Sequence, residues 1–345
     1  MMELQITWFV LVGVLLLGYA LLDGFDLGVG SLYLLTKDPD ERRRMIYSIG
    51  PYWDSNQVWL LTGGGAIFAA FPMVYATVFS GFYLALMLVL FALIFRAVSI
   101  EFQHQLDSPG WRKWWDLGFS LGSLLPSILY GVAVGNILRG IPLDANGGYL
   151  GDFLGLLNPY SLVMGLVSLS LFAMHGAAFI ISQSDGALQV KARRWARAAW
   201  LTLLPLFLIG TAWSYLGTPR LFSNYFDVPL LWVFPLIALL GLAAFPAALK
   251  GGNAYGPLGA SALTIFGLLT TMAASLFPYI VPASNNLANS LTVFNASSSE
   301  RTLMIMLILA LIGLPIVLTY TAYIYRTFIR SARVMTIGNK QSMKI

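Results

Sequence analysis

Pro51-Tyr52-Trp53-Asp54-Ser55-Asn56-Gln57-Val58-Trp59 runs directly into Leu60-Leu61-Thr62-Gly63-Gly64-Gly65 and an apolar stretch that ends at Phe71. The front of this segment carries a carboxylate, two amides and two indoles, and the remainder reads as membrane. An ionisable group held near hydrocarbon costs at least about 2.5 kcal/mol on insertion scales, so it marks a functional site by default. The segment poses two questions at once: how many such spans the chain contains, and what Asp54 is for.

Composition answers the first. Of the 345 residues, 58% are hydrophobic and 10% charged, and the mean hydropathy is +0.76. These values exclude an ordinary soluble domain and a disordered chain. Taking about 20 apolar residues per span, the chain reads as an all-α, polytopic transmembrane bundle of about nine helices in a single domain over residues 1–345. The spans fall at about 6–34, 51–72, 75–100, 113–138, 159–182, 195–216, 229–249, 257–280 and 303–328. The first apolar segment continues to residue 35 with no small-residue cleavage site before it, so it is expected to be a retained helix. The chain has no cysteine, which excludes disulfides, thiolate metal sites and iron–sulfur clusters. The net charge of +5 is explained by loop placement, and no basic-aromatic nucleic-acid module is present.

Charge then sets the orientation. Arg139, Arg220 and Arg301 lie in one set of alternate loops, and Arg96 lies inside a span. Every other Lys and Arg falls in the opposite loops or the C-terminal tail, including Arg42-Arg43-Arg44, Lys191, Arg193, Arg194 and Arg197. Positive residues accumulate on the cytoplasmic side. The N-terminus is therefore expected outside and the C-terminus in the cytoplasm. The outer loops, about 139–158, 217–228 and 281–302, are rich in Gly, Asn, Pro and Ser and read as ordered turns over the bundle mouth.

This orientation sets depth, because a helix rises about 1.5 Å per residue. Asp23 and Asp26 are placed towards the cytoplasmic end of the first span, and their i, i+3 spacing puts both on one face. Asp54 falls in the first turn of the second span, and the third brings Arg96 and Glu101 back to the same level. Four acids and one arginine from three consecutive spans thus share a depth. Titratable side chains with neighbouring amides, here Asn56 and Gln57 beside Trp53, are what proton uptake from the cytoplasm requires. Simpler roles remain open. Asp54 follows Pro51 in a first helical turn, where the helix dipole stabilises a carboxylate. Asp23 and Asp26 could serve only as ion-pair partners of Arg96. Gly24 and Gly28 form Gly-x-x-x-Gly, a pattern of close helix packing.

His104 falls among polar residues at the inner end of the third span, and His175 lies within the fifth. His104 reads as a solvated interfacial histidine rather than a ligand, His175 could ligate a metal or hydrogen-bond a neighbouring helix, and two histidines at different depths cannot build a multi-haem centre. No metal or cofactor site is expected in this chain alone.

Several motifs resemble subunit II of the cytochrome bd-type quinol oxidases. They are Asp23-Gly24-Phe25-Asp26-Leu27-Gly28-Val29-Gly30, Glu41-Arg42-Arg43, Trp53-Asp54-Ser55-Asn56-Gln57-Val58-Trp59-Leu60, Phe71-Pro72-Met73-Val74-Tyr75 and Ser80-Gly81-Phe82-Tyr83. Phe95-Arg96, Gly135-Asn136, Leu157-Asn158-Pro159, Phe277-Pro278-Tyr279 and Ser290-Leu291-Thr292 extend the match over nearly the whole length. The resemblance implies a nine-helix subunit in the bacterial cytoplasmic membrane, paired with a similarly folded subunit I. In that family subunit I holds haem b, haem d and the quinol site, and the complex oxidises quinol and reduces dioxygen to water with cytoplasmic protons. It also implies a proton-path role for Asp54, with Asp23, Asp26 and Glu101 at further acidic positions. A small third subunit and bound membrane lipid are possible partners. One departure is the short sixth-to-seventh loop, so a lipid or quinone bound there in longer relatives is not assumed.

Three classes of function therefore compete: a haem-free oxidase subunit, a proton-coupled secondary transporter, and a self-sufficient haem protein using His104 or His175. Transporters place broken helices and polar groups near the midplane, whereas here the acids crowd the inner side. That favours the oxidase subunit.

Overall fold

The computed structural model describes residues 1–103 and 105–342, with side chains described up to residue 323. Its α-helices are α1 (Met2–Leu32), α2 (Pro39–Ile49), α3 (Trp53–Ala70), α4 (Pro72–Gly81), α5 (Tyr83–Phe102) and α6 (Pro109–Arg139), followed by α7 (Pro159–Gln183), α8 (Gly186–Gly217), α9 (Arg220–Asp227), α10 (Val233–Lys250), α11 (Gly256–Leu276) and α12 (Glu300–Ser342). Among the described residues, eight helices are long and apolar enough to cross a membrane, and the bent pair α3–α4 brings the total to nine. The all-α membrane bundle expected from hydropathy is the fold observed.

The bent pair corrects one boundary. A single span was expected over 75–100, but residues 72–81 form α4, which turns 120° away from α3. Hydropathy registers apolar content and is blind to direction. The turn itself is built from Phe71 and Pro72. Proline opens α4 at a position where its missing N–H costs no helical bond. Phe71 and Phe82, at the two ends of α4, are both buried and pin the corners.

Two further helices occupy segments expected to be loops. Asp38 caps α2 by accepting from the Asp40 N–H at 2.9 Å, Pro39 begins it, and Met45, Ile46 and Ile49 anchor it to the core. At 11 residues and largely polar, it lies below the length a spanning pattern reveals. α9 forms where a turn was expected, and β1 (Tyr279–Val281) pairs antiparallel with β2 (Leu291–Thr292) in the final outer loop. α8 begins at Gly186 rather than near 195, because its first turns are polar.

The second half of α1 is the axis of the bundle: Tyr19, Ala20, every residue from Asp23 to Gly30, and Leu32 are buried. Close approach needs small residues there. Gly28 of α1 packs directly on Gly176 of α7, backbone to backbone. A Cβ on Gly122 of α6 would lie 2.6 Å from the Ala92 carbonyl of α5, one turn before Arg96. These contacts draw α5, α6 and α7 around one level of α1.

The mouth of the bundle nearest the start of α1 is closed as expected by ordered turns. Segments 140–158 and 277–299 meet through the Ile141–Ala283 bridge and through amides of Asn285 and Asn289, which donate to the Leu143 carbonyl. Leu143 and Val293 are completely enclosed beneath them.

Candidate functional site

At the level of the glycine contacts, α1 brings Asp23 and Asp26 into the interior and α5 brings Arg96, all essentially without solvent exposure. Arg96 grips Asp23 with both terminal nitrogens: Nη1 donates to Oδ2 at 3.0 Å, and Nη2 donates to Oδ1. Such a fork satisfies both oxygens of one carboxylate. Asp26 receives no comparable partner. Its Oδ2 accepts from Asn56 Nδ2 at 2.8 Å, and the same amide also donates to the Leu22 carbonyl at 3.1 Å. Asp26 Oδ1 has no donor among the described residues, and the carboxyl group lies beside that of Asp23. One guanidinium thus faces two carboxyl groups.

A tyrosine pair extends the cluster. Tyr19, one turn before Asp23, meets Tyr130 of α6 hydroxyl to hydroxyl at 2.9 Å, and both lie within electrostatic reach of Asp23 and Arg96. Neither tyrosine stood out in the sequence. Tyr19 was detectable, because i−4 spacing places it on the face of Asp23. Tyr130 carried no comparable local signal.

The other acids lie elsewhere. Asp54 occupies the first turn of α3, as expected, but is exposed, whereas Asn56 two residues later points inward. Two residues on a helix differ by about 200°, so Asp54 faces away from Asp26. Val58, Leu61 and Phe68 of α3 are exposed as well. Glu101 is also exposed, near the end of α5. The expected convergence of four acids therefore resolves into a buried pair held by Arg96 and two acids on the surface of the chain. Trp53 and Gln57 are half-buried beside Asn56.

A second charged layer lies beyond this cluster. Glu41 of α2 accepts from Lys191 Nζ of α8 at 2.7 Å and from the Thr36 hydroxyl. The Lys191 hydrogen bond, then that of Thr36, holds the Glu41 carboxyl below the usual glutamate range. Arg42 pairs with Asp116 of α6 at 2.6 Å, and Tyr33 donates to the same carboxylate at 2.7 Å. α2 is thereby strapped to α6 and α8.

Comparison with known proteins now bears on this arrangement. The family described as "Cytochrome bd terminal oxidase subunit II" matches residues 4–328. The chain belongs to this family. It is 40% identical to the probable cytochrome oxidase subunit 2 of Haemophilus influenzae, covering 93% of each chain. It is 36% identical to the cytochrome bd-I ubiquinol oxidase subunit 2 of Escherichia coli K12, again over 93% of each. The cytochrome bd ubiquinol oxidase subunit 2 of Bacillus subtilis is 37% identical, over 97% of this chain and 100% of that one. The bd oxidase structure from Geobacillus thermodenitrificans contains a chain of the same fold, with a TM-score of 0.78 at 18% identity, covering 94% of this chain and 98% of that one. As a subunit II, the chain is a multi-pass membrane component of an oxidoreductase complex and works with a partner subunit I. These relatives are oxidase subunits, which leaves the transporter reading without an observation in its favour.

The histidines bear on where a haem could sit. His104 lies outside the described residues. His175 is buried between α1 and α11, with Nδ1 2.7 Å from Ser261 Oγ and Nε2 2.9 Å from the Leu21 carbonyl. Both ring nitrogens are engaged by protein, so His175 does not fit an axial-ligand role. Among the described residues, no three His, Asp or Glu side chains are grouped to hold a metal ion.

Proposed function

We propose that this chain is the haem-free subunit of a quinol:dioxygen oxidoreductase in the bacterial cytoplasmic membrane. In this reading it supports a haem-bearing subunit I and carries protons towards it from the cytoplasm. Haem b and haem d, held by the partner, supply the electron transfer from quinol to dioxygen. What this chain adds is acid groups at set positions, and the observation that carries the reading is their division between interior and surface.

Asp54 supports the delivering role. A carboxylate at the N-terminus of α3 is stabilised by the helix dipole and free N–H groups, yet this one stands on a face with exposed Val58, Leu61 and Phe68. An acid on an apolar face costs little once a partner subunit covers it and pairs it. Asp54 then takes a proton from cytoplasmic water and holds it at its carboxyl group on the covered face. Behind it, Asp26 supports a storing role. Asp23 is neutralised by Arg96, which leaves Asp26 as the carboxyl group without its own countercharge, and Asn56 fixes one of its oxygens. Glu101 is exposed near the end of α5, and in this reading it collects protons at the rim.

Replacing Asp54 by Asn preserves shape and removes the titrating group. In the assembled complex, Asp54→Asn should slow oxygen consumption at saturating quinol by 10-fold or more, on the order of a general acid–base contribution, with haem content unchanged. Normal turnover in a fully assembled variant would remove Asp54 from the path. Loss of haem spectra would make its role structural.

A further inference from the structure

α8 carries four cations within two turns, Lys191, Arg193, Arg194 and Arg197, and they have different fates. Lys191 is paired with Glu41, and Arg193 Nη1 donates to the Leu249 carbonyl near the end of α10. Arg194 and Arg197 are exposed and have no ion pair or hydrogen bond among the described residues. Like charges three residues apart repel unless a counter-charge sits between them.

Depth supplies the second fact. α8 is 32 residues long, about 48 Å at 1.5 Å per residue, while hydrocarbon needs only about 20 residues. Counting back from Gly217, hydrocarbon ends near residue 198, which puts Arg194 and Arg197 at headgroup level. Below them the lipid-facing surface is apolar: Leu201 and Leu208 on α8 and Leu239 and Leu240 on α10 are exposed.

The third fact is the seam between these helices. Trp200 Nε1 donates to the Leu242 carbonyl at 2.9 Å. That carbonyl lacks its usual helical donor because residue 246 is proline. Arg193 and Trp200 thus fasten α8 to α10 at two points seven residues apart on both helices. Arg197 lies on the same face between the fastenings, level by this register with Phe245, which is buried and has no polar side chain to offer. Arg197 is exposed, three residues from the equally exposed Arg194.

We propose that these two exposed arginines bind an anionic phospholipid headgroup, its phosphate gripped by Arg194 and Arg197 and its acyl chains lying along α8 and α10. Clusters of basic residues at the membrane surface attract such headgroups, and neighbouring guanidinium groups match the oxygens of one phosphate.

The test uses the assembled oxidase in mild detergent, with native mass spectrometry of phosphatidylglycerol and phosphatidylcholine retained or added back. Wild type should hold phosphatidylglycerol selectively, and the Arg194→Gln/Arg197→Gln double variant should bind it about 30-fold more weakly, from about 1 kcal/mol per arginine. Arg112→Gln, a control on another loop, should change nothing. Equal binding by wild type and the double variant, or equal retention of the two lipids by wild type, would overturn the proposal. So would an equal loss in the Arg112 control, which would mean diffuse charge, or displacement of the lipid by millimolar inorganic phosphate, which would mean a free-anion site. If the double variant fails to assemble, a salt series on wild type decides, because salt-independent binding contradicts a charge-held phosphate.

Discussion

The interior charge cluster and the α2 strap use the same side chains under opposite conditions. Asp23 and Arg96 are wholly buried, whereas Lys191 of the strap pair is 42% exposed. In the interior the charges have already lost their hydration, so everything depends on whether each still has its partner. At the rim water and salt compete for every pair, and the contribution of each is small. A buried ion pair thus locks helices whose removal from register would strand a charge, while a rim pair only biases how α2 lies. Arg96, Asp23 and Asn56 join α1, α3 and α5 in the first way.

Breaking the interior pair should have the largest effect. Arg96→Leu leaves Asp23 and Asp26 side by side without a cation and should cost about 3 to 5 kcal/mol, seen as loss of assembled complex and a lower thermal midpoint. Adding Asp23→Asn to that variant should recover part of the loss; a double variant no better than the single would show that the two residues are not coupled. Asn56→Ala is next, because it removes the donor to Asp26 Oδ2 without creating an unpaired cation. It should cost about 1 to 3 kcal/mol, measured by thermal unfolding, and no change would mean that Asp26 is held by other groups.

The rim should respond least, and through pH. The Glu41 carboxyl is held below its ordinary value of 4.5 in the folded protein, so its stabilisation is fully present above that pH. It is lost as pH falls through the lowered folded value. Given the exposure of Lys191, the total should be below about 1 kcal/mol. The expected signature is a slight drop in thermal midpoint below about pH 4.5 in wild type that is absent in Glu41→Gln. Identical pH profiles would show that the pair contributes nothing.

The site was partly legible for physical reasons that can be assigned residue by residue. An arginine inside a span must have an acid, and Asp23 and Asp26 on one helix face were the available acids, so an ion pair between Arg96 and this set could be read in advance. Which of the two acids takes the fork could not, because that depends on how α5 is set against α1, a matter of tertiary contacts such as the close packing of Gly122 of α6 on the Arg96 backbone. Asp54 and Asn56, read together from the sequence as acid and neighbouring amide, face opposite ways on α3, as two residues about 200° apart must. Which of them looks inward depends on the rotation of α3 about its own axis, and no local pattern encodes that. Glu101 was placed at the right end of its helix but on the exterior for the same reason. Tyr130 was invisible because its partner is more than a hundred residues away in sequence.

From the sequence alone come the number of spans, the family, the position of Asp54 in a first helical turn, and the shared face of Asp23 and Asp26. The family follows from the resemblance of the motifs, and the rest from hydropathy and helical spacing, which act along the chain. Only the tertiary structure decides that α3 turns through 120° into α4, that one arginine serves two buried carboxyl groups, and that Asp54 is presented outward while Asn56 turns in. Those outcomes depend on contacts between helices distant in sequence, where glycines allow approach and a buried charge must find its partner.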